Sequence, residues 1–270
     1  MNPVFRLISA EITKSVRLKL PWLGLGFSVL VAFFARQYVE GFAAPGEIST
    51  REYLTTNVNL LSTAIIPIFS TIFASSLIAS ETSRGSLRLV LPRPIYRSHF
   101  LHAKLTIGVL YLLLLFVVNL AVALPIALGY PERSAFDEGV ELPSRTGQIM
   151  ILGIALGLTL LPHLATVCFG FLVSVLSRSV ATAIGVAVGL IFCMLPIQAL
   201  VEIGSVRIGD YMFSSYYDDA MGIGNSIASG ITSESWRQQK VYYLLATSLI
   251  SSVVFLTLAY RVFTRRDFND

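Results

Sequence analysis

Residues 105–131 read LTIGVLYLLLLFVVNLAVALPIALGYP, a stretch of 27 residues without one charged side chain. A lipid bilayer has a hydrocarbon core about 30 Å thick, which roughly 20 apolar residues cross as a helix. A helix is required there because lipid offers no hydrogen-bond partner to a free backbone group. The stretch therefore predicts a membrane-spanning helix near residues 102–129.

Five further uncharged stretches occur along the 270 residues, and only 13% of all residues are charged, against roughly 25% in soluble domains. The first is short, but Lys19 and Arg36 flank it and can reach the two membrane interfaces. We therefore expect an all-α integral membrane protein with a single transmembrane domain over residues 1–270. The other predicted spans lie near residues 20–36, 57–80, 148–176, 180–201 and 241–261.

The charges predict the orientation of these spans. With six spans, both termini share one side with the 81–104 loop and Arg178, and this set holds thirteen basic and four acidic residues, a net charge of +9. The other side holds seven basic and twelve acidic residues. By the positive-inside rule, both termini are expected in the cytoplasm. The isoelectric point near 9.1 then reflects topology, and no nucleic-acid partner is expected.

Two segments outside the spans have a distinct composition. In residues 3–17, apolar side chains recur at helical spacing opposite Arg6, Lys14 and Arg17, which favours an amphipathic interfacial helix over a basic tail that only sets topology. In the external segment 202–240, aromatic residues alternate with glycines. This pattern suggests short helices at the outer interface, and an aromatic belt that only anchors the loop is an equal alternative.

Polar and small residues inside the spans are few. His163, which follows Pro162, is expected to be hydrogen-bonded to a neighbouring helix, because a proton or ion pathway would need more ionisable groups at membrane depth. Small residues at four-residue spacing are candidates for close helix contact, within the chain or at a dimer seam. They are Gly153, Gly157, Ala181, Gly185 and Gly189. No spacing indicates a metal site.

The loop after the second span carries the most specific pattern. It reads ETSRGSLRLVLPRPIYR over residues 81–97, and Lys104 follows in the next apolar run. It resembles the cytoplasmic loop of type 2, exporter-like ABC transporter permeases, which has Glu, Gly-Thr-Leu, a Pro-x-Ser-Arg-like turn and then a Lys. The matching positions are Glu81, Gly85, Leu87, Leu91, Pro94, Arg97 and Lys104, while Ser86 and Tyr96 depart from the pattern.

The resemblance extends to the topology and to the basic C-terminal tail. It is closest to permeases associated with gliding motility and copper-enzyme maturation, although one loop does not separate these from drug or polysaccharide exporters. It implies that the loop, residues 81–101, is cytoplasmic and that its part 81–97, here called the coupling segment, binds a separate ATPase. The implied contact residues are Glu81, Arg84, Gly85, Leu87, Arg88, Leu91, Pro94 and Arg97.

The residues of the coupling segment are compatible with that role. We expect a short helix over Thr82–Leu91, stopped by Pro92, with Leu87 and Leu91 on one face. Glu81 is expected to bond backbone donors at the start of this helix. An ordinary basic inside loop is the alternative, but topology alone does not demand this spacing.

The resemblance also implies the partners. The sequence has no Gly-x4-Gly-Lys-Ser/Thr loop, so this chain is not expected to be an enzyme, and ATP and Mg belong to two copies of a separate ATPase chain. Six spans would form half a translocation unit, so a second permease chain, identical or homologous, is expected. The lipid bilayer and an extracellular or periplasmic accessory protein complete the partners, and the location is the cytoplasmic (inner) membrane of a prokaryote.

Two other classes of six-span protein are alternatives. An intramembrane serine protease would need a Gly-x-Ser-x-Gly nucleophile with a partner His on another span, and the sequence offers only Gly224-Asn-Ser226 in a loop. A secondary transporter would carry inverted repeats and intramembrane charge, and neither is visible. The scarcity of such charge favours an amphipathic, lipid-like or peptidic cargo, or a mechanical role without transport.

Overall fold

The structure is a computed structural model that describes residues 3–42, 48–85, 97–131, 136–137, 140–141, 145–203, 206–219, 222 and 234–265. A π-turn, Leu61–Ile65, joins α3 to α4. The helices, in chain order, are α1 (Pro3–Val16), α2 (Lys19–Phe42), α3 (Thr50–Leu60), α4 (Ile66–Ser83), α5 (Arg97–Ala127), α6 (Arg145–Leu176), α7 (Val180–Leu200) and α8 (Glu234–Arg265).

Two small antiparallel strand pairs lie between helices. β1 (Phe136–Asp137) pairs with β2 (Val140–Glu141), and β3 (Glu202–Ile203) pairs with β4 (Val206–Arg207). Each strand has only two residues, so the architecture remains helical.

Six helical stretches among the described residues are long and apolar enough to cross a membrane, which confirms the predicted number of spans. They are α2, α3 with α4, α5, Gly153–Leu176 of α6, Val180–Gln198 of α7 and Lys240–Arg265 of α8. Several helices extend past the apolar runs that predicted them. α2 continues to Phe42, and near this end Arg36 and Glu40, one turn apart, form an ion pair at 2.9 Å on its surface.

The π-turn has a local cause. Pro67 lacks a backbone N–H and so cannot donate to the carbonyl one turn before it. The N–H of Ile66 bonds to the carbonyl of Leu61, five residues back, so the backbone widens for one turn instead of breaking. The predicted second span therefore continues as one helical rod from Thr50 to Ser83.

The bundle is organised around α6, which packs most extensively against α8 and α4. On the other side, α5 packs against α2 and α1, while α7 packs against α4. Gly170 lets α6 approach α4 closely, since a Cβ there would lie 3.0 Å from the Ala74 Cβ and 3.1 Å from the Thr71 carbonyl oxygen. Because lipid is as apolar as a leucine side chain, such close packing, not apolar burial, holds the helices together.

The glycines predicted to mediate close contact are not the ones that do so within the chain. Among the described residues, no atom lies within 4 Å of a Cβ built at Gly153, Gly157, Gly185 or Gly189. Ala181 is exposed. The described residues therefore give no within-chain contact at these positions, because four-residue spacing of small residues does not reveal on which side of a helix its neighbour lies. A dimer seam at these residues stays a prediction.

Buried amides link the first three spans. The side-chain amide of Asn57 donates to Oδ1 of Asn119 at 2.7 Å, and the amide of Asn119 donates to the Ser28 carbonyl at 2.7 Å. The hydroxyl of Tyr53 donates to the carbonyl of Ala32 at 2.9 Å. These bonds fix the register of α2, α3 and α5, because a buried amide left without a partner is costly.

We expect Gly170→Leu to destabilise the chain by about 1–3 kcal/mol, the usual cost of overpacking a close contact. Gly185→Leu is the matched control, since the same side chain enters open space there. The measurement is the free energy of unfolding of the purified chain in detergent micelles. Equal losses for both variants would contradict the packing described here, and loss of dimer recovery by Gly185→Leu alone would support a seam on α7.

Candidate functional site

Four charged side chains from three helices meet at one end of the bundle. Nζ of Lys104 on α5 lies 2.6 Å from Oε2 of Glu11 on α1 and 3.0 Å from Oε1 of Glu81 on α4. Lys14 on α1 forms a second ion pair with Oε1 of Glu81. We call these four residues the ion cluster. Its acids and bases alternate, Glu11–Lys104–Glu81–Lys14, and its formal charge sums to zero.

The two inner members of the ion cluster are shielded from solvent. The side chain of Lys104 is 2% exposed and that of Glu81 is 7% exposed, against 16% for Glu11 and 39% for Lys14. The Lys104 ammonium also lies 5.5 Å from the centre of the Phe100 ring. Breaking a buried ion pair by removing one partner costs about 3–5 kcal/mol, because the other charge stays buried.

Local helix geometry explains why these side chains converge. Glu81 occupies the last turn of α4, at the start of the coupling segment, and Lys104 lies two turns into α5, past the end of that segment. Glu11 and Lys14 are three residues apart on α1 and therefore share one face. α1 packs along α5, which brings that face to the ends of both spans.

The entry to the coupling segment differs from the expected short helix. Thr82 and Ser83 belong to the last turn of α4, and the helix ends at Arg84. Gly85 has φ of +68°, and its N–H donates to the Thr82 carbonyl at 3.1 Å. A glycine fits this left-handed position without strain, so it ends the helix here. A helix that begins at Thr82 is therefore wrong.

The role predicted for Glu81 is also corrected. It lies at the carboxyl end of a helix, where the macrodipole is unfavourable to a carboxylate, and not at the start of one. Lys14 and Lys104 offset that by direct ion pairs. Glu81 is thus an internal residue that joins helices, and its carboxylate does not form an exposed partner surface.

The exit from the coupling segment is attached to the last helix. A guanidinium nitrogen of Arg97 donates to the Thr264 carbonyl at 3.0 Å, and the Phe100 ring stacks on Phe263 with centroids 5.9 Å apart. These contacts bind the first turn of α5 to the end of α8. The cytoplasmic end predicted from charge therefore brings α1, α4, α5 and α8 together at the base of one loop.

The remaining predicted contact residues divide into two groups. Arg84 is exposed at the end of α4. Leu87, Arg88, Leu91 and Pro94 lie outside the described residues. Sequence reasoning missed Glu11 and Lys14 as members of the site. The available signal was Glu11 itself, the one acidic residue in an otherwise basic N-terminal segment.

We expect Lys104→Met to lower the free energy of unfolding by about 3 kcal/mol, because Glu11 and Glu81 would keep their charges without this partner. Lys19→Met is the matched control, since Lys19 is exposed and its loss is expected to change stability by less than about 0.5 kcal/mol. Unfolding of both variants in mixed micelles measures the difference. Similar losses in the two variants would show that the ion cluster contributes nothing.

A second polar feature lies inside the bundle, around His163 on α6. Its ring is fully buried and stacks on the ring of Tyr217, with centroids 4.8 Å apart and planes 12° apart. Neither ring nitrogen has a hydrogen-bond partner among the described residues, so the expected bond to a neighbouring helix is absent there. The contact that holds this ring is stacking, which the sequence pattern does not reveal.

The partner ring comes from the external segment, which forms two short 3₁₀ helices at Ile208–Tyr211 and Phe213–Tyr216. Phe213 and Tyr217 are buried against α6 and α7, and the Tyr217 hydroxyl lies 2.6 Å from that of Thr166. Burial raises the pKa of the Tyr217 hydroxyl, which therefore stays neutral. Short helices, as expected, are present at these residues; Phe213 and Tyr217 pack within the bundle, whereas Tyr211 is exposed.

The described residues contain no group of three or more His, Cys, Asp or Glu side chains that could hold a metal ion. The fold of the described residues is predominantly helical, with six helices able to span a membrane, which indicates a multi-pass membrane protein. The family model described as "Protein of unknown function (DUF2705)" matches residues 26–269, and the chain belongs to that family. No curated protein matches the chain.

Proposed function

We propose that this chain is the membrane-spanning subunit of an ATP-driven, type 2 exporter-like ABC transporter. Its coupling segment, residues 81–97, binds a separate ATPase chain that carries ATP and Mg, and two permease chains, identical or homologous, complete the pore. Both termini and the coupling segment face the cytoplasm, and α1 lies at the inner interface of a prokaryotic cytoplasmic membrane.

The observation that carries this proposal is the ion pair between Glu81 and Lys104 at the base of the coupling segment. If a loop transmits a movement of a soluble ATPase to the membrane, the two helices that it joins must not move independently of each other. Glu81 ends one span, Lys104 begins the next, and their charged atoms lie 3.0 Å apart with both side chains buried. An ordinary inside loop needs no such link, because topology requires only basic residues near the surface.

A further contact supports the same role. The Arg97 bond to Thr264 and the Phe100–Phe263 stack join the exit of the coupling segment to the last span. Movement of the segment would therefore pass to the second, third and sixth spans together. Both residue pairs come from elements far apart in sequence, so their meeting is a property of the fold and not of the loop alone.

The orientation gives a direct test. With the native Cys168 and Cys193 replaced by alanine, a membrane-impermeant thiol reagent is expected to label a cysteine at Glu138 or Ser229 in intact cells. It should not label a cysteine at Ser83 or Asn269 until the membrane is permeabilised. External labelling at Ser83 would reverse the orientation derived from charge.

We expect Leu87→Asp to abolish binding of the ATPase, because it would place a charge in an apolar contact. Ser177→Asp is the matched control, since it adds the same charge to the other predicted inner connection. The measurement is recovery of an ATPase with nucleotide-binding motifs from its native membrane, followed by the turnover of the reconstituted complex. Full binding and turnover with Leu87→Asp, or no ATPase with the parent chain, would contradict the proposal and favour a secondary transporter or an intramembrane enzyme.

A further inference from the structure

The N-terminal helix bonds to both of the helices that the coupling segment joins. Glu11 bonds to Lys104 on α5, two turns beyond the segment, and Lys14 bonds to Glu81, where α4 leads into the segment. The two side chains are one turn apart on α1, so the helix lies across the gap between the two spans. Each bond alone would tether α1 to one span, whereas the two together connect the spans through a third helix.

The connection to α4 depends on charge more than on apolar packing. α1 packs chiefly along α5, where the half-buried Ile8 contacts the main core. Ile12 and Val16, which follow Ile8 at four-residue spacing, are exposed. Lys14 is the residue of α1 shown to bond to α4. A shift of α4 relative to α5 would therefore stretch the Lys14 bond or the Glu11 bond.

The charges that α1 brings are also matched. One acid and one base enter together, and each meets an opposite charge already present in the Glu81–Lys104 pair. When Glu11 and Lys14 are replaced by neutral residues, Glu81 and Lys104 still pair with each other, and the buried charges remain compensated. A variant of α1 can therefore lose both bonds while the bundle stays folded. Such a variant distinguishes an effect on the stability of the bundle from an effect on the register of the two spans.

We infer that Glu11 and Lys14 are positioning residues: α1 braces the ends of the second and third spans across the base of the coupling segment. Its use in coupling rests on the function proposed above. In that setting, the brace makes the two spans move as one unit when the ATPase pushes the segment, so that hydrolysis drives the membrane part instead of deforming the loop.

The test uses the full chain with Glu11→Gln and Lys14→Gln combined, reconstituted in nanodiscs. Hydrogen exchange is measured for peptides that cover residues 79–85 and 97–104. We expect exchange about tenfold faster in both peptides, because both span ends lose a bond that limits local opening. Arg17→Gln is the control: it removes an exposed charge just after α1, and no change is expected. Unchanged exchange in both peptides of the double variant would overturn the inference.

Two further arms separate positioning from stability and from the proposed function. Inversion of all four charges (Glu11→Lys, Lys14→Glu, Glu81→Lys and Lys104→Glu) should return exchange towards the parent value, since pairing and not residue identity matters. In the ATPase complex, Glu11→Gln with Lys14→Gln should keep ATPase binding but lose at least half of the stimulated turnover. Parent-level turnover would overturn the coupling role. A parent chain that binds no ATPase would refute the function proposed above, while the exchange data would still decide the brace.

Discussion

A lysine buried among helix ends is the constraint on which the end of the bundle that holds the ion cluster depends. An ammonium group is costly to remove from water, and the cost is offset only when anionic partners are fixed around it. Lys104 obtains two such partners, Glu81 from α4 and Glu11 from α1. The positions of α1 and α4 relative to α5 are thus constrained by the ion pairs of Lys104. The apolar packing between these helices must be compatible with those pairs.

Farther along α5 from the ion cluster, the contacts between spans are made by neutral polar groups instead. Asn57 and Asn119 bond to each other between α3 and α5, and Asn119 also bonds to α2. Amides cost far less than charges to bury, and each carries both donors and acceptors. The bundle is therefore held by ion pairs at the ion cluster and by amide hydrogen bonds between α2, α3 and α5. His163 is instead held by stacking on an aromatic ring. These polar contacts fix the register of neighbouring helices, which apolar side chains that face lipid do not specify.

The sequence was sufficient for the coarse fold because the signal there is local. Uncharged runs such as residues 105–131 must be helical in lipid whatever their neighbours are. Glu81 and Lys104 were visible as the charges that bound two of those runs, but their pairing depends on how α4 and α5 pack. Gly185 and Gly170 show the same limit, since both are small residues in spans and only the neighbour of Gly170 is close. The rotation of each helix is set by contacts distant in sequence.

The π-turn at Leu61–Ile65 has a consequence for how one span meets its neighbours. An α-helix advances 100° per residue, and one extra residue in a turn shifts the phase of everything beyond it by roughly that angle. Before the π-turn, α3 contacts α2 and α5, whereas after it α4 has its main contacts with α6 and α7. A straight α-helix presents one continuous stripe. In this span, the contact surface of α3 and that of α4 face different directions around the helix axis. A single span can therefore connect α2 and α5 on one side of the bundle with α6 and α7 on the other.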